Sequence, residues 1–233
     1  MARRRDVAID ASNAAVALRS GDVLDQPTFH RRYEKMPDGL NAELIDGIVY
    51  VHGRTTNAHA TLSAATLWWL GCYAMHTPGT YGMSRPTVIL NGSNEPQPDA
   101  GLRMDHGRGG QSWIGPDDYI FGSPELHVEV AYSSVSIDLH QKRRAYERAG
   151  VQEYLVVLVR EPGLKAFRLE DGTYREVAPD SDGVWRSEVF PGLWLNVRAL
   201  LGRDGKALLE TLQQGITTDE HRAFVERLKS SPG

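Results

Sequence analysis

The spacing of hydrophobic residues along the chain alternates between a helical and an extended period. Large apolar side chains recur every three or four positions in residues 57–77, which predicts a long, largely buried helix capped by Asn57 and stopped by Pro78 and Gly79. The run EYLVVLVR at 153–160 is continuously apolar, which is typical of a strand covered on both faces. A long helix and a buried strand in one chain predict an α/β fold.

Shorter segments predict further elements. Asp46 and Gly47 stand between two apolar runs, which predicts a β-hairpin. Residues 137–150 predict a helix that ends at Gly150, whereas the glycine-rich stretch 106–123 predicts a long loop. The remaining strands are predicted at 86–90, 97–104 and 125–131.

The C-terminal part of the chain changes character twice. Three segments that alternate around Asp-Gly turns predict an antiparallel meander that extends the same sheet, and they cover 164–170, 173–179 and 184–190. The residues after Asn196 are predicted to be helical. The predicted organisation is therefore a loose lead-in (1–26), one domain (27–200) and a helical tail (201–233).

Composition and charge limit the classes of partner and compartment. Of the 233 residues, 41% are hydrophobic and 24% are charged, as in ordinary globular proteins. The formal net charge of −4 gives no general attraction to nucleic acid, so phosphate binding would depend on local basic clusters. The single cysteine, Cys72, excludes an internal disulfide, and the chain shows neither a signal peptide nor an 18-residue apolar run. These features predict a cytoplasmic protein without a membrane segment.

A glutamate in the middle of an apolar strand is the first candidate functional residue. Glu129 lies between Val128 and Val130, where an unpaired carboxylate would be costly. Strand alternation lets Glu129 converge with Asp99 if their strands are neighbours, while His127 shares the Glu129 face as a hydrogen-bonded core residue. In the next helix a four-residue spacing aligns Asp138, Lys142 and Tyr146. Two carboxylates and an ammonium group form a candidate site for a hard cation such as Mg²⁺.

Each of these residues also has a purely structural interpretation. Glu129 could form an ion pair with Arg103 or Lys142 that only stabilises the fold. Asp99 follows a proline and could be a turn residue at the entry to its strand. Asp138 could be an acid of the first helical turn, favoured by the helix dipole. Lys142 could extend into solvent together with the two arginines that follow it.

Several motifs occur in a particular order between residues 27 and 195. A Glu-Leu-Ile-Asp-Gly segment begins at Glu43, a histidine opens the long helix, and a Pro-Asp pair precedes a strand. The run EVAYSSVSIDLHQKRRAYERAGVQEYLVV then begins at Glu129. In this combination the motifs resemble the Uma-type putative restriction endonuclease family of the PD-(D/E)xK nuclease superfamily. The resemblance implies an α/β, restriction-endonuclease-like fold, in which helices flank a mixed central sheet, with the C-terminal antiparallel meander added.

The resemblance also implies roles for individual residues. Asp99 matches the Pro-Asp acid, Glu129 the Glu-Val acid, and Glu43 the acid of the Glu-Leu-Ile-Asp-Gly segment. Lys142 matches a lysine that this family supplies from the helix, because the usual superfamily position, two residues after Glu129, holds Ala131. The implied catalytic residues are Asp99, Glu129 and Lys142. The implied metal ligands, for Mg²⁺ or Mn²⁺, are Glu43, Asp99 and Glu129.

The function implied by the resemblance is metal-dependent hydrolysis of phosphodiester bonds in DNA. The backbone carbonyl of Val130 would be a further metal ligand, and Arg143 and Arg144 would contact the flanking DNA backbone. Tyr132 stands where many relatives carry a small polar or acidic residue, which bears on substrate access. On this interpretation Lys142→Ala lowers cleavage and leaves the fold nearly intact. The alternatives are an inactive nuclease-fold module for binding or assembly and a hydrolase with another substrate, and a homodimer is left open.

Overall fold

The computed structural model describes residues 17–37 and 39–230, so residues 1–16 of the predicted lead-in lie outside the described part. The strands are β1 (Ala42–Ile45), β2 (Ile48–Val51), β3 (Thr80–Ser84), β4 (Val88–Ile89), β5 (Ala100–Met104), β6 (Ser112–Ile114), β7 (Ile120–Gly122), β8 (Leu126–Ala131), β9 (Glu153–Leu158), β10 (Gly163–Glu170), β11 (Thr173–Glu176), β12 (Val184–Arg186) and β13 (Trp194–Asn196). The α-helices are α1 (Gln26–Tyr33), α2 (Asn57–His76), α3 (Arg143–Ala149), α4 (Val197–Gly202), α5 (Gly205–Ile216) and α6 (Asp219–Ser230). A 3₁₀ turn covers His106–Arg108, and a π-helical segment, Ile137–Lys142, leads directly into α3.

Among the described residues, the largest sheet has six strands in the order β11-β10-β9-β8-β5-β3. Strands β8 and β9 run parallel, whereas the other neighbouring pairs are antiparallel. Every residue of β8 is buried, and so are the first five residues of β9, as the apolar run in that strand predicts. The predicted α/β fold with a mixed central sheet is confirmed, and Glu129 lies on one of its interior strands.

Helix α2 packs across one face of this sheet. Trp69 is fully buried in the main core, and its Nε1 donates a hydrogen bond to the carbonyl oxygen of Trp194 (2.9 Å). The helix starts at Asn57, but its N-cap is Thr56, whose hydroxyl accepts a hydrogen bond from the N–H of His59 (3.3 Å). Thr56 has the extended backbone that an N-cap needs, so the predicted cap is corrected by one residue.

The predicted hairpin joins β1 to β2. Asp46 and Gly47 both have left-handed backbone, with φ of 52° and 75°, as a two-residue type I′ turn requires. Leu18 is buried in a small core with this hairpin and α1, and Val23 forms an isolated bridge with Ile48. The described end of the lead-in is therefore packed against the hairpin.

Two predictions, one for the stretch 106–123 and one for the C-terminal meander, are wrong in part. The stretch 106–123 was expected to be a loop, but it contains β6 and β7, which form a small sheet with β4. Its strands are only three residues long, too short to show a clear alternation. Strands β10 and β11 extend the central sheet as predicted, whereas β12 pairs antiparallel with β13 in a separate sheet.

The segment after Asn196 is helical, as predicted. Leu212 of α5 and Phe224 of α6 are buried in the same core as Trp69 of α2, so these helices cover the sheet together with α2. Across residues 17–37 and 39–230, no helix is long and apolar enough to cross a membrane.

Candidate active site

Four elements bring the predicted site residues to one cavity of about 350 Å³. Glu43 lies on β1, Asp99 directly precedes β5, and Glu129 lies on β8. Lys142 is the last residue of the π-helical segment. The structure therefore brings together all four residues that the sequence singled out, although they come from strands and a helix far apart in the chain.

Lys142 is the centre of the charge cluster. Its Nζ lies 3.0 Å from Glu129 Oε1, 2.8 Å from Glu43 Oε2 and 3.8 Å from Asp138 Oδ1, and the residue is only 3% exposed. Burial alone would lower the pKa of this amine, but Glu129, Glu43 and Asp138 together raise it well above its ordinary value. Lys142 is therefore an ammonium group at neutral pH and does not extend into solvent.

Glu129 is held by two donors. Lys142 Nζ and Tyr146 Oη both donate to its Oε1, at 3.0 Å and 2.8 Å. Burial raises the pKa of Glu129 well above its ordinary value, and the nearby acids add to the rise while Lys142 opposes it. Arg103 is not a partner of this carboxylate, since its guanidinium stacks over the ring of Tyr81.

Asp99 lies beside Glu129 at the end of the neighbouring strand. Its Oδ2 accepts a hydrogen bond from the N–H of Val130 (2.9 Å), the residue that follows Glu129. The same oxygen lies 3.2 Å from Nε2 of His59, in the first turn of α2. Asp99 is thus held both by the strand that carries Glu129 and by the first turn of α2.

Glu43 is fully buried and ionised. Its Oε1 accepts a hydrogen bond from the N–H of Gln97 (2.6 Å), and its Oε2 lies 2.8 Å from Lys142 Nζ and 2.7 Å from His52 Nε2. Burial would raise the pKa of Glu43, but Lys142 and His52 outweigh this effect and lower it to about 2. This glutamate carries a negative charge at neutral pH and anchors the lysine.

The π-helical segment and α3 supply two further side chains to the charge cluster. Asp138 is 1% exposed, and its Oδ2 accepts a hydrogen bond from the hydroxyl of Ser134 (2.5 Å). It lines the cavity together with Lys142, so it is more than an exposed acid of the first helical turn. Tyr146 follows on the same stripe and reaches Glu129, as the four-residue spacing predicts. Wide π turns of this kind occur frequently at functional sites.

The donor set fits a hard cation. Four carboxyl groups line the same cavity as the cations Lys142, Arg54 and Arg85, so the acids outnumber these cations by one. Asp138 Oδ1 is buried without a hydrogen-bond partner of good geometry in the described chain, since Lys142 Nζ lies 3.8 Å away. Within that same part of the chain, no three or more His, Cys, Asp or Glu side chains form a ready-made metal site. Oxygen ligands from one or two carboxylates, completed by water, suit Mg²⁺.

Several cavity residues were missed or misplaced by the sequence analysis. His52, Arg54 and Arg85 line the cavity, but they lie in connecting segments whose pairing only the folded structure defines. Arg143 and Arg144 do not line it, and Arg143 stacks over Phe167 at 5.3 Å. The expected contact of these two arginines with a substrate in the cavity is therefore not supported by their position.

Two other expectations concern Tyr132 and His127. Tyr132 lines the cavity and its ring lies under the guanidinium of Arg160 (4.6 Å), so it can limit access. His127 is fully buried against Tyr146, as expected for a core residue, but neither ring nitrogen has a hydrogen-bond partner among the described residues. Burial, with the charge of Lys142, lowers the pKa of His127 to about 3, so its ring is neutral.

Comparisons with known proteins agree with the motif order. The fold is similar to the crystal structure of a putative nuclease belonging to DUF820 from Anabaena variabilis ATCC 29413, with a TM-score of 0.57 and 11% sequence identity. The alignment covers 74% of this chain and 96% of that chain, and at this identity the likeness concerns the fold. A comparison with curated proteins gives no match. The family model described as Uma2, putative restriction endonuclease, matches residues 27–198, which confirms the resemblance in the motifs. The chain therefore belongs to the Uma2 family of putative restriction endonucleases.

Proposed function

We propose that the chain is a Mg²⁺- or Mn²⁺-dependent endonuclease that hydrolyses phosphodiester bonds of DNA in the cytoplasm. The observation that carries the proposal is the contact of Lys142 Nζ with Glu129 Oε1, at 3.0 Å, inside a cavity that Asp99 and Glu43 also line. Two acids on neighbouring strands and a lysine beside them are the groups that the family resemblance implies. The lysine comes from the helix, which compensates for Ala131 at the usual position.

The residues that would hold the metal are Asp99, Glu129 and Glu43, with the backbone carbonyl of Val130. Their oxygens are hard donors of the kind that Mg²⁺ prefers. When bound, the ion would polarise the phosphate and lower the pKa of a bound water. The excess of acids over cations in the cavity gives a divalent cation a favourable electrostatic site.

Lys142 acts in this proposal as a fixed positive charge. The neighbouring acids raise its pKa well above the ordinary value, so at neutral pH it is an ammonium group and not a base. An ammonium group beside Glu129 instead offsets the charge that develops on the phosphate in the transition state. Removing one such group typically lowers the rate by on the order of a hundredfold to a thousandfold.

Two other side chains hold the acids in position. The hydroxyl of Tyr146 donates to Glu129, and burial, then the charge of Glu129, raises the pKa of this tyrosine far above its usual range. It therefore remains a neutral donor. The ring of His59 contacts the same Asp99 oxygen that accepts the hydrogen bond from Val130. With these contacts both carboxylates have a fixed direction before substrate arrives.

The test is cleavage of supercoiled plasmid DNA by the full chain with Mg²⁺, with Mn²⁺ and with EDTA. The wild-type protein is expected to convert the plasmid to nicked and linear forms only with a divalent cation, and Glu129→Gln and Asp99→Asn to abolish this conversion. Glu153→Gln is the matched control, because Glu153 is also fully buried but does not line the cavity. Equal cleavage by wild type and Glu129→Gln would overturn the proposal. Absence of cleavage by the folded wild type would favour the inactive binding module.

A further inference from the structure

Two arginines line the cavity without taking part in the carboxylate cluster. Arg54 lies in the loop between β2 and α2, and Arg85 directly follows β3. Both residues are exposed. Across residues 17–37 and 39–230, neither guanidinium group forms a hydrogen bond or an ion pair. Their charge is therefore available to an anion that enters the cavity from solvent.

The other basic side chains of the cavity are already engaged. Each contacts an acid of the cluster, and the pairs are Lys142 with Glu129, His52 with Glu43, and His59 with Asp99. The acids therefore have partners inside the cavity, and the two arginines stay outside this network. An acidic cavity that binds a polyanion needs cations at its rim, because the buried carboxylates would otherwise repel the substrate.

The positions of the two arginines relate each of them to one acid. Ser84 of β3 pairs with Ala100 of β5, so Arg85 follows in register toward Asp99, at the same end of the sheet. Arg85 also has left-handed backbone, with φ of 49°, which is uncommon for a residue with a side chain and concentrates at functional sites. Arg54 follows two residues after His52, which contacts Glu43. The two arginines thus lie in different segments, one following a partner of Glu43 and the other in register with Asp99.

We infer that Arg54 and Arg85 bind the DNA phosphates on either side of the phosphate that is cleaved. The inference rests on the proposed function, because it names the substrate contacts of the same site. A guanidinium group can donate two parallel hydrogen bonds to a phosphate, and it keeps its charge at all relevant pH values. Contacts of this kind position the backbone and carry no base sequence information, so the site selects for phosphodiester backbone.

The experiment measures binding of a fluorescently labelled 20-base-pair DNA duplex to the full chain in EDTA, at a series of salt concentrations. The variants are Arg54→Gln with Arg85→Gln, and the matched control is Arg143→Gln with Arg144→Gln, a pair outside the cavity. The slope of log K against log salt is negative, and each lost phosphate contact reduces its magnitude by about one. Replacing the cavity pair is expected to reduce the magnitude of this slope by about two, whereas replacing the control pair should leave it unchanged. Thermal unfolding midpoints should show that both double variants are folded.

The inference is overturned if replacing the cavity pair leaves the slope unchanged, if replacing the control pair alone reduces its magnitude, or if the wild-type protein does not bind the duplex. The experiments can refute this inference and the proposed function separately. A protein that binds DNA through Arg54 and Arg85 but does not cleave it with Mg²⁺ supports this inference and contradicts endonuclease activity. A protein that cleaves DNA but binds it equally well without these arginines contradicts this inference alone.

Discussion

Replacing Lys142 by methionine tests the charge cluster at its centre. The change keeps the length of the side chain and removes the ammonium group that lies 2.8 Å from Glu43 Oε2 and 3.0 Å from Glu129 Oε1. All three side chains are at most 4% exposed, so water solvates the two carboxyl groups poorly after the ammonium group is lost. Removing one partner of a buried ion pair costs about 3–5 kcal/mol. We therefore expect Lys142→Met to lose about 3–5 kcal/mol of unfolding free energy at pH 7.

A second estimate of this loss of unfolding free energy comes from the carboxyl group of Glu43. Without Lys142, this buried acid keeps only His52 as a possible ionic partner, so its folded-state pKa rises and it takes up a proton more readily. Protonation of a carboxyl with the ordinary pKa of 4.5 costs about 3.4 kcal/mol at pH 7 and about 0.7 kcal/mol at pH 5. The folded-state pKa of Glu43 in the variant is raised, so the variant recovers stability as the pH falls. The loss relative to wild type should shrink by about 2–3 kcal/mol between pH 7 and pH 5.

The assay is urea unfolding followed by tryptophan fluorescence at both pH values. Lys165→Met is the matched control, because Lys165 forms an exposed ion pair with Glu176 at 2.7 Å, and such pairs contribute about 1 kcal/mol or less. Adding Glu43→Gln to Lys142→Met should restore part of the lost stability at pH 7. A loss below about 1 kcal/mol for Lys142→Met, or the same loss at pH 5 and pH 7, would refute the reasoning.

Three further predictions concern single residues, each measured by urea unfolding. Tyr146→Phe removes the 2.8 Å donor to Glu129 and should cost about 1–3 kcal/mol, and an unchanged midpoint would contradict this bond. The pKa of His127 is about 3 in the folded state and 6.5 ordinarily. When the pH is lowered below 6.5, the unfolded state therefore binds a proton that the folded state does not, and the free energy of unfolding decreases. This effect is about 2 kcal/mol between pH 6.5 and pH 5, and it should be missing in His127→Asn. Gly47→Ala places a side chain at φ 75° and should cost about 1 kcal/mol or more, whereas Gly53→Ala, at a glycine with open space around it, should cost less.

The central part of the fold and site could be predicted from local patterns. Alternation in the Glu129 strand and the four-residue spacing of Lys142 and Tyr146 fix which residues share a face, and the motif resemblance then indicates that these faces meet. The Asp46-Gly47 turn is equally local. These features depend on residues that are neighbours in sequence, so the sequence alone contains the information.

The rest depends on tertiary packing. Lys142 is almost completely buried, so the expectation that Lys142→Ala leaves the fold nearly intact is inconsistent with its contacts. Arg143 follows it directly but stacks over Phe167, whereas Arg54 and Arg85 come to the cavity from other segments. The packing of the surrounding elements decides which basic side chain faces the cavity. A local sequence pattern does not contain this information.

The most direct test of the account is calorimetric titration of the full chain with Mn²⁺, because the central claim is that the acids around Lys142 bind a catalytic divalent cation. Wild-type protein is expected to bind Mn²⁺ with a stoichiometry of one or two, and Asp99→Asn with Glu129→Gln to lose this binding. Glu153→Gln, altered at a buried acid outside the cavity, should bind as wild type does. Absence of binding to folded wild-type protein, or equal binding by the double variant, would contradict the claim.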